Sequence, residues 1–214
     1  MTYRRPLVYV SIASAVVYLA TTPWRPYPGS ALFKGGVVGA LAVLAFLARG
    51  WKRDARLLAL GLAFSTAGDV LLDLSPQWFT FGLAAFLLAH LAYISLYVRN
   101  AARPLALSPA LLVSVVLVIA YSATLSVWIV PSVGPLAVPV VLYICAITVM
   151  VVTAMLARFD RPWVALGAVL FLISDSLLAT DKFKTPVPLR DYLVDSTYFL
   201  GQYGIALGFL SRSS

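Results

Sequence analysis

Leu60 to Leu74 reads LGLAFSTAGDVLLDL, and Leu166 to Thr180 answers it with LGAVLFLISDSLLAT. Aligned at a constant offset, Leu60/Leu166, Gly61/Gly167, Asp69/Asp175, Leu71/Leu177 and Leu72/Leu178 are identical. Each stretch is largely apolar, and the first places Asp69 one helical turn before Asp73. Each also carries a carboxylate. Placing that group in the hydrocarbon costs roughly 2.5–3.5 kcal/mol on insertion scales. A chain that bears this cost twice, in one local context, is expected to use both groups.

The rest of the composition agrees. Of 214 residues, 62% are hydrophobic and 11% charged, and the mean hydropathy is +0.94. Such values describe an all-α polytopic bundle in a membrane. All eight acids are aspartates, and the chain has one histidine, His90, and one cysteine, Cys145. A lone cysteine excludes an internal disulfide, and one histidine excludes a multi-histidine zinc site. The net charge of +8 is no sign of a nucleic-acid partner, because the basic residues sit mostly in short loops between spans. The first apolar run lacks a small-residue cleavage site and leads into Pro23-Trp24-Arg25-Pro26, so no cleavable signal peptide is expected.

Runs of spanning length predict eight helices. They are Leu7 to Thr21, Ala31 to Ala48, Ala55 to Leu74, Trp78 to Val98, Leu105 to Val130, Leu136 to Ala157, Trp163 to Thr180 and Asp191 to Leu210. Prolines break the chain at Pro23 to Gly29, at Ser75-Pro76-Gln77 and at Pro131 to Pro135. Arg49 to Arg56 and Arg158 to Pro162 read as basic turns, and Asp181 to Arg190 as the longest polar loop. Gly35 and Gly39 stand at close-packing spacing.

With the N terminus inside, the inner loops and ends hold Arg4, Arg5, Arg49, Lys52, Arg53, Arg56, Arg99, Arg103, Arg158, Arg161 and Arg212. The outer side holds Arg25, Lys34, Lys182, Lys184 and Arg190. This excess of inner positive charge predicts a multi-pass protein of the cell membrane with both termini cytoplasmic. Spans three and seven then run in the same direction, and so do spans four and eight, where His90 falls opposite Gln202. One integral membrane domain over residues 1–214 is expected, with candidate repeat halves 1–103 and 104–214. Parallel repeats of this kind occur in transporters.

Positions three and four apart share a helix face. Ser65, Asp69 and Asp73 form a stripe on span three, as do Phe86, His90, Tyr93 and Tyr97 on span four. Asp191, Asp195, Tyr198 and Gln202 line up on span eight, Tyr143 lies on span six, and Lys34 stands near the start of span two. The expected result is a polar cavity lined by spans two, three, four, seven and eight. Plainer roles suffice for some members. Asp73, Asp181 and Asp191 sit at span ends, where solvation or capping explains them. His90 could join helices by a hydrogen bond, and Lys34 could snorkel to the interface. Asp69 and Asp175 lie within their spans with no basic residue at i±3 or i±4. One protonated and one ionised carboxyl is an acid/base pairing for acetal-like bonds, and equally a proton relay in a transporter.

The chain resembles the YhhN-like lysoplasmalogenase family. The Lys34 segment, FSTAGDVLL (Phe64 to Leu72), FLLAHLAY (Phe86 to Tyr93), GAVLFLISDSLLATDKF (Gly167 to Phe183) and YFLGQYGI (Tyr198 to Ile205) carry the resemblance, in the family's order, from about Tyr27 to Phe209. One difference is Gly35, where that pattern has proline after the lysine. The resemblance implies a hydrolase that splits the vinyl ether bond of lysoplasmalogens into a fatty aldehyde and glycerophosphocholine or glycerophosphoethanolamine. Asp69 and Asp175 would be its acid/base pair. Lys34, His90, Tyr93, Tyr143, Asp195, Tyr198 and Gln202 would hold the lysophospholipid within the bilayer, with no metal or cofactor. The alternatives are a proton-coupled small-solute transporter and a lipid-binding protein without catalysis.

Overall fold

A computed structural model describes residues 4–49, 52–101, 108–159 and 161–211. Among the described residues, eight long helices follow one another: α1 (Arg4–Ala20), α2 (Ser30–Arg49), α3 (Arg53–Leu74), α4 (Phe79–Arg99), α5 (Pro109–Ile129), α6 (Ala137–Leu156), α7 (Trp163–Phe183) and α8 (Arg190–Leu210). No strand occurs among the described residues. The expected all-α polytopic bundle is therefore what the chain forms. Six of the helices, α2 to α7, are long and apolar enough to cross a membrane, and α1 is a shorter apolar helix. The chain divides into two compact units, Met1–Leu96 and Tyr97–Ser214. The expected boundary between repeat halves, at 103/104, lies outside the described residues, as do Gly50, Trp51, Arg103, Leu105 and Arg212.

The helix ends have identifiable causes. Ser108 caps α5, its hydroxyl accepting from the Leu111 amide at 3.2 Å, and Pro109 fills the first helical position, where no amide partner is needed. Prolines 131 and 135 break the chain as expected, and the link from α5 to α6 is two short 3-10 turns, Val130–Ser132 and Gly134–Leu136. Several boundaries differ from expectation; α1, for example, starts at Arg4, and two more redraw expected loops. α7 continues to Phe183, so Asp181 belongs to the last turn of a helix and not to a loop. α3 starts at Arg53, which makes the second half of the expected basic turn helical. In both places charged residues extend a helix past its apolar run, because helix propensity does not depend on hydrophobicity.

In the first unit, α2 packs between α1 and α3. Glycine makes the α2–α3 approach close. A Cβ on Gly35 would sit 2.8 Å from Val70 Cγ2, and one on Gly39 3.4 Å from Thr66 Cγ2. The close-packing role expected of this pair is what the geometry gives. In the second unit, α7 and α8 make the tightest seam, backbone against backbone. A Cβ on Gly167 would lie 2.5 Å from the Gly201 carbonyl oxygen and 2.7 Å from the Ile205 nitrogen, and one on Gly204 2.8 Å from the Trp163 carbonyl oxygen. Small residues at helix seams replace the hydrophobic drive that lipid does not supply.

The outward surface is apolar. Leu32 and Val127 are each 78% exposed, and along α5 only Ser122 and Ile129 are buried. Such faces are stable next to lipid chains and unstable in water. Of the polar residues that sequence placed on helix stripes, Ser65, Asp69, His90, Asp195 and Gln202 are buried, while Asp73 and Asp191 are only partly so.

Candidate functional site

In the first unit the site is built on α3 and α4. Gly61 and Gly68 of α3 leave room for two aromatic rings of α4. A Cβ at Gly61 would overlap the Tyr93 ring, and one at Gly68 would sit 2.6 Å from Phe86 Cδ2. These two antiparallel contacts fix the register, and they bring His90, between Phe86 and Tyr93, to the level of Ser65. Phe86, His90, Tyr93 and Tyr97 are all buried, as the stripe on span four requires. Asp69 is 1% exposed and immediately follows Gly68, whose missing side chain is what admits α4 here.

One turn further along α3, Asp73 departs from expectation. It is neither a solvated nor a capping residue. Its Oδ1 accepts from the Tyr18 hydroxyl at 2.6 Å, and its Oδ2 accepts from the Ser30 hydroxyl. Arg25 Nη1 lies 3.9 Å from Oδ1, and both side chains are largely buried. The Arg25 guanidinium stacks 4.1 Å above the Tyr18 ring centroid, and Lys34 Nζ is 5.5 Å from the same centroid. Lys34 thus belongs to a cluster drawn from α1, α2, α3 and the loop between the first two. Tyr18, Arg25 and Ser30 carry no motif in the sequence. They meet Asp73 only because α1 and α2 fold back beside α3.

In the second unit the site is built on α6, α7 and α8. Tyr143 of α6 donates its hydroxyl to Asp175 Oδ2 at 2.5 Å. Tyr143 is 8% exposed and Asp175 is half-buried, so the pair lies at the edge of the interior. Ser174, next to Asp175, is occupied structurally: its hydroxyl donates to the Val194 carbonyl at 2.9 Å and ties α7 to α8. On α8, Asp195, Tyr198 and Gln202 are buried on one face. The Tyr198 ring meets Phe171 of α7 edge-on, with centroids 5.1 Å apart. Asp191 is not a cap; α8 begins at Arg190 after Leu189, and Asp191 pairs with Arg190 in the first turn. Asp181 is also engaged, accepting from the Val187 amide at 3.0 Å and lying 3.5 Å from Arg190 Nε.

The glycine of the repeated motif lies in a helix seam in each unit, against an aromatic ring in the first and against backbone in the second. Gly61 meets Tyr93 across α3–α4, and Gly167 meets Ile205 across α7–α8. Tyr93 and Ile205 are the residues paired when His90 is aligned with Gln202. Asp69 and Asp175 occupy corresponding positions in the repeated motif, Asp69 buried and Asp175 half-buried. Among the described residues, no three of His, Cys, Asp or Glu converge in a way that would hold a metal ion. Chemically, the first unit offers the buried Asp69 carboxyl, and the second offers the Asp175 carboxyl hydrogen-bonded to a phenol.

Comparison with known proteins bears on this arrangement. The family model described as the YhhN family matches residues 29–209. The human protein named lysoplasmalogenase TMEM86A is 33% identical over 152 residues, covering 69% of this chain and 62% of its own length. A protein of Mycobacterium bovis named lysoplasmalogenase is 40% identical over 181 residues, covering 78% of this chain and 68% of its own length. The match to the human relative thus takes in less than two thirds of that protein. No solved structure gives a significant match.

Proposed function

The chain belongs to the YhhN family, and from that premise we propose that it is a membrane hydrolase that cleaves the vinyl ether bond of a lysoplasmalogen. The names of its relatives support the substrate class. The observation that carries the mechanism is the Tyr143–Asp175 hydrogen bond, with its repeat counterpart Asp69 buried on α3.

In this reading the reaction is acid/base hydrolysis. A protonated carboxyl donates its proton to the alkenyl carbon that does not bear oxygen. The remaining carbon–oxygen unit becomes an oxocarbenium ion. Water adds to that carbon and gives its proton to a carboxylate. The hemiacetal so formed collapses to a fatty aldehyde and the glycerophospho-alcohol, with one water consumed. Asp69 and Asp175 are the proposed acid and base, a division of labour that two carboxyls in different surroundings sustain. A fixed carboxylate also stabilises the cation between these steps. Tyr143 orients Asp175 through its hydrogen bond. His90, Tyr93, Asp195, Tyr198 and Gln202 supply the polar positions for water and glycerol. Lys34 serves the lipid phosphate as a point charge. In the membrane, both termini face the cytoplasm.

The test is direct. Purified protein is incubated with lysoplasmalogen and, separately, with the ester lysolipid of the same headgroup, and free aldehyde is measured. Aldehyde from the vinyl ether supports the reading. Binding without aldehyde, or release of fatty acid from the ester at a comparable rate, contradicts it.

A further inference from the structure

The cluster around Asp73 is larger than a lone lysine at the membrane interface, and two of its members, Tyr18 and Arg25, precede the region matched by the family. We propose that Arg25, stacked on Tyr18 and standing with Lys34, is the phosphate-recognition subsite for the lysolipid headgroup; this rests on the lysolipid reading given above.

Three features support it. The first is the choice of groups. A guanidinium presents a planar fork that matches phosphate oxygens, while lysine adds a compact charge. Both cations lie within 5.5 Å of one ring centroid, and an aromatic face attracts each of them. The second is how the cluster is held. Asp73 uses its two oxygens to take hydrogen bonds from Tyr18 and Ser30, and it meets Arg25 at 3.9 Å, at the limit of an ion pair and beyond hydrogen-bond length. Arg25 is steadied from its other side, with Nη2 donating to the Thr22 hydroxyl at 2.8 Å. Asp73 therefore fixes the tyrosine that carries the cations. The third is depth. Asp73 and Asp69 are one turn apart on α3, about 6 Å along the axis. A three-carbon glycerol bridges that span between a phosphate and an ether oxygen. A headgroup at Arg25 places the vinyl ether at the depth of Asp69.

The test measures binding, with no turnover needed. The probes are 1-O-hexadecyl-glycero-3-phosphocholine, whose saturated ether is not cleaved by this chemistry, and 1-O-hexadecylglycerol, which lacks the phosphate. Arg25→Gln should weaken binding of the first by about tenfold or more and leave the second within about twofold. Equal weakening of both probes, or of neither, overturns the proposal. Inorganic phosphate should not displace the lysolipid at matched concentration; displacement would make this a free-phosphate site and overturn the lipid assignment. Should Arg25→Gln yield no folded protein, Arg25→Lys decides: weakening confined to the phosphate-bearing probe supports the subsite, and equal loss on both overturns it. A protein that binds through Arg25 and releases no aldehyde contradicts the hydrolase reading and leaves this subsite standing. A hydrolase whose lysolipid affinity ignores Arg25→Gln does the reverse.

Discussion

Asp175 is held by a phenol, and that contact separates its role from packing. Tyr143→Phe keeps the ring and removes the donor at 2.5 Å. Losing one hydrogen bond to a charged or reacting carboxyl should lower kcat by about tenfold or more, with thermal stability little changed; a kcat equal to wild type would remove Tyr143 from the site. His90→Ala should reduce aldehyde release less than loss of either aspartate, because its place between Phe86 and Tyr93 suits orientation; complete loss would promote His90 to a group acting on the substrate. Asp69 and Asp175 were legible in the sequence because a carboxylate inside an apolar helix is costly and here recurs in register. Asp73 was not. Its end-of-span position is the same whether it faces solvent or three side chains from α1, α2 and their loop, and only tertiary packing decides. Tyr18 and Arg25 were invisible for the same reason: an aromatic near a helix end and an arginine in a proline-rich loop are ordinary in membrane proteins.

At the scale of elements, sequence reads helices well and their seams poorly. Eight apolar runs became eight helices because hydrogen bonding within each segment is the main solution open to backbone in lipid. The boundaries that shifted, at Arg53 and Phe183, lie where charge continues a helix beyond its apolar run. Gly35 and Gly39 announced themselves by spacing, whereas Gly167, Gly201 and Gly204 reveal their importance only in the α7–α8 seam, where a side chain would strike backbone. Gly204→Leu should therefore destabilise the fold by about 1–3 kcal/mol or more, seen as a lower Tm in detergent and reduced yield. Leu200→Ala is its control. Leu200 is 59% exposed on the same helix, and its truncation should move Tm little. Equal effects of the two substitutions would contradict the backbone-contact account of this seam.

For the whole molecule, the excess of arginine and lysine in the loops expected to be inner predicts that both termini face the cytoplasm. In a Cys145→Ser background, single cysteines introduced by Thr2→Cys and Ser213→Cys should both resist an impermeant thiol reagent in intact cells and both react once the membrane is opened. Reaction of one alone in intact cells would require an odd number of crossings. The repeated sequence supplies one carboxyl on α3 and one on α7, in different surroundings, and the hydrolase reading asks both to serve one turnover. That demand is the central claim, and one measurement addresses it most directly: aldehyde release from lysoplasmalogen by wild type, Asp69→Asn and Asp175→Asn, each purified and shown by thermal unfolding to be folded. The account predicts release by wild type and a loss of about 10²-fold or more in each variant. Near-wild-type release by either folded variant would contradict it.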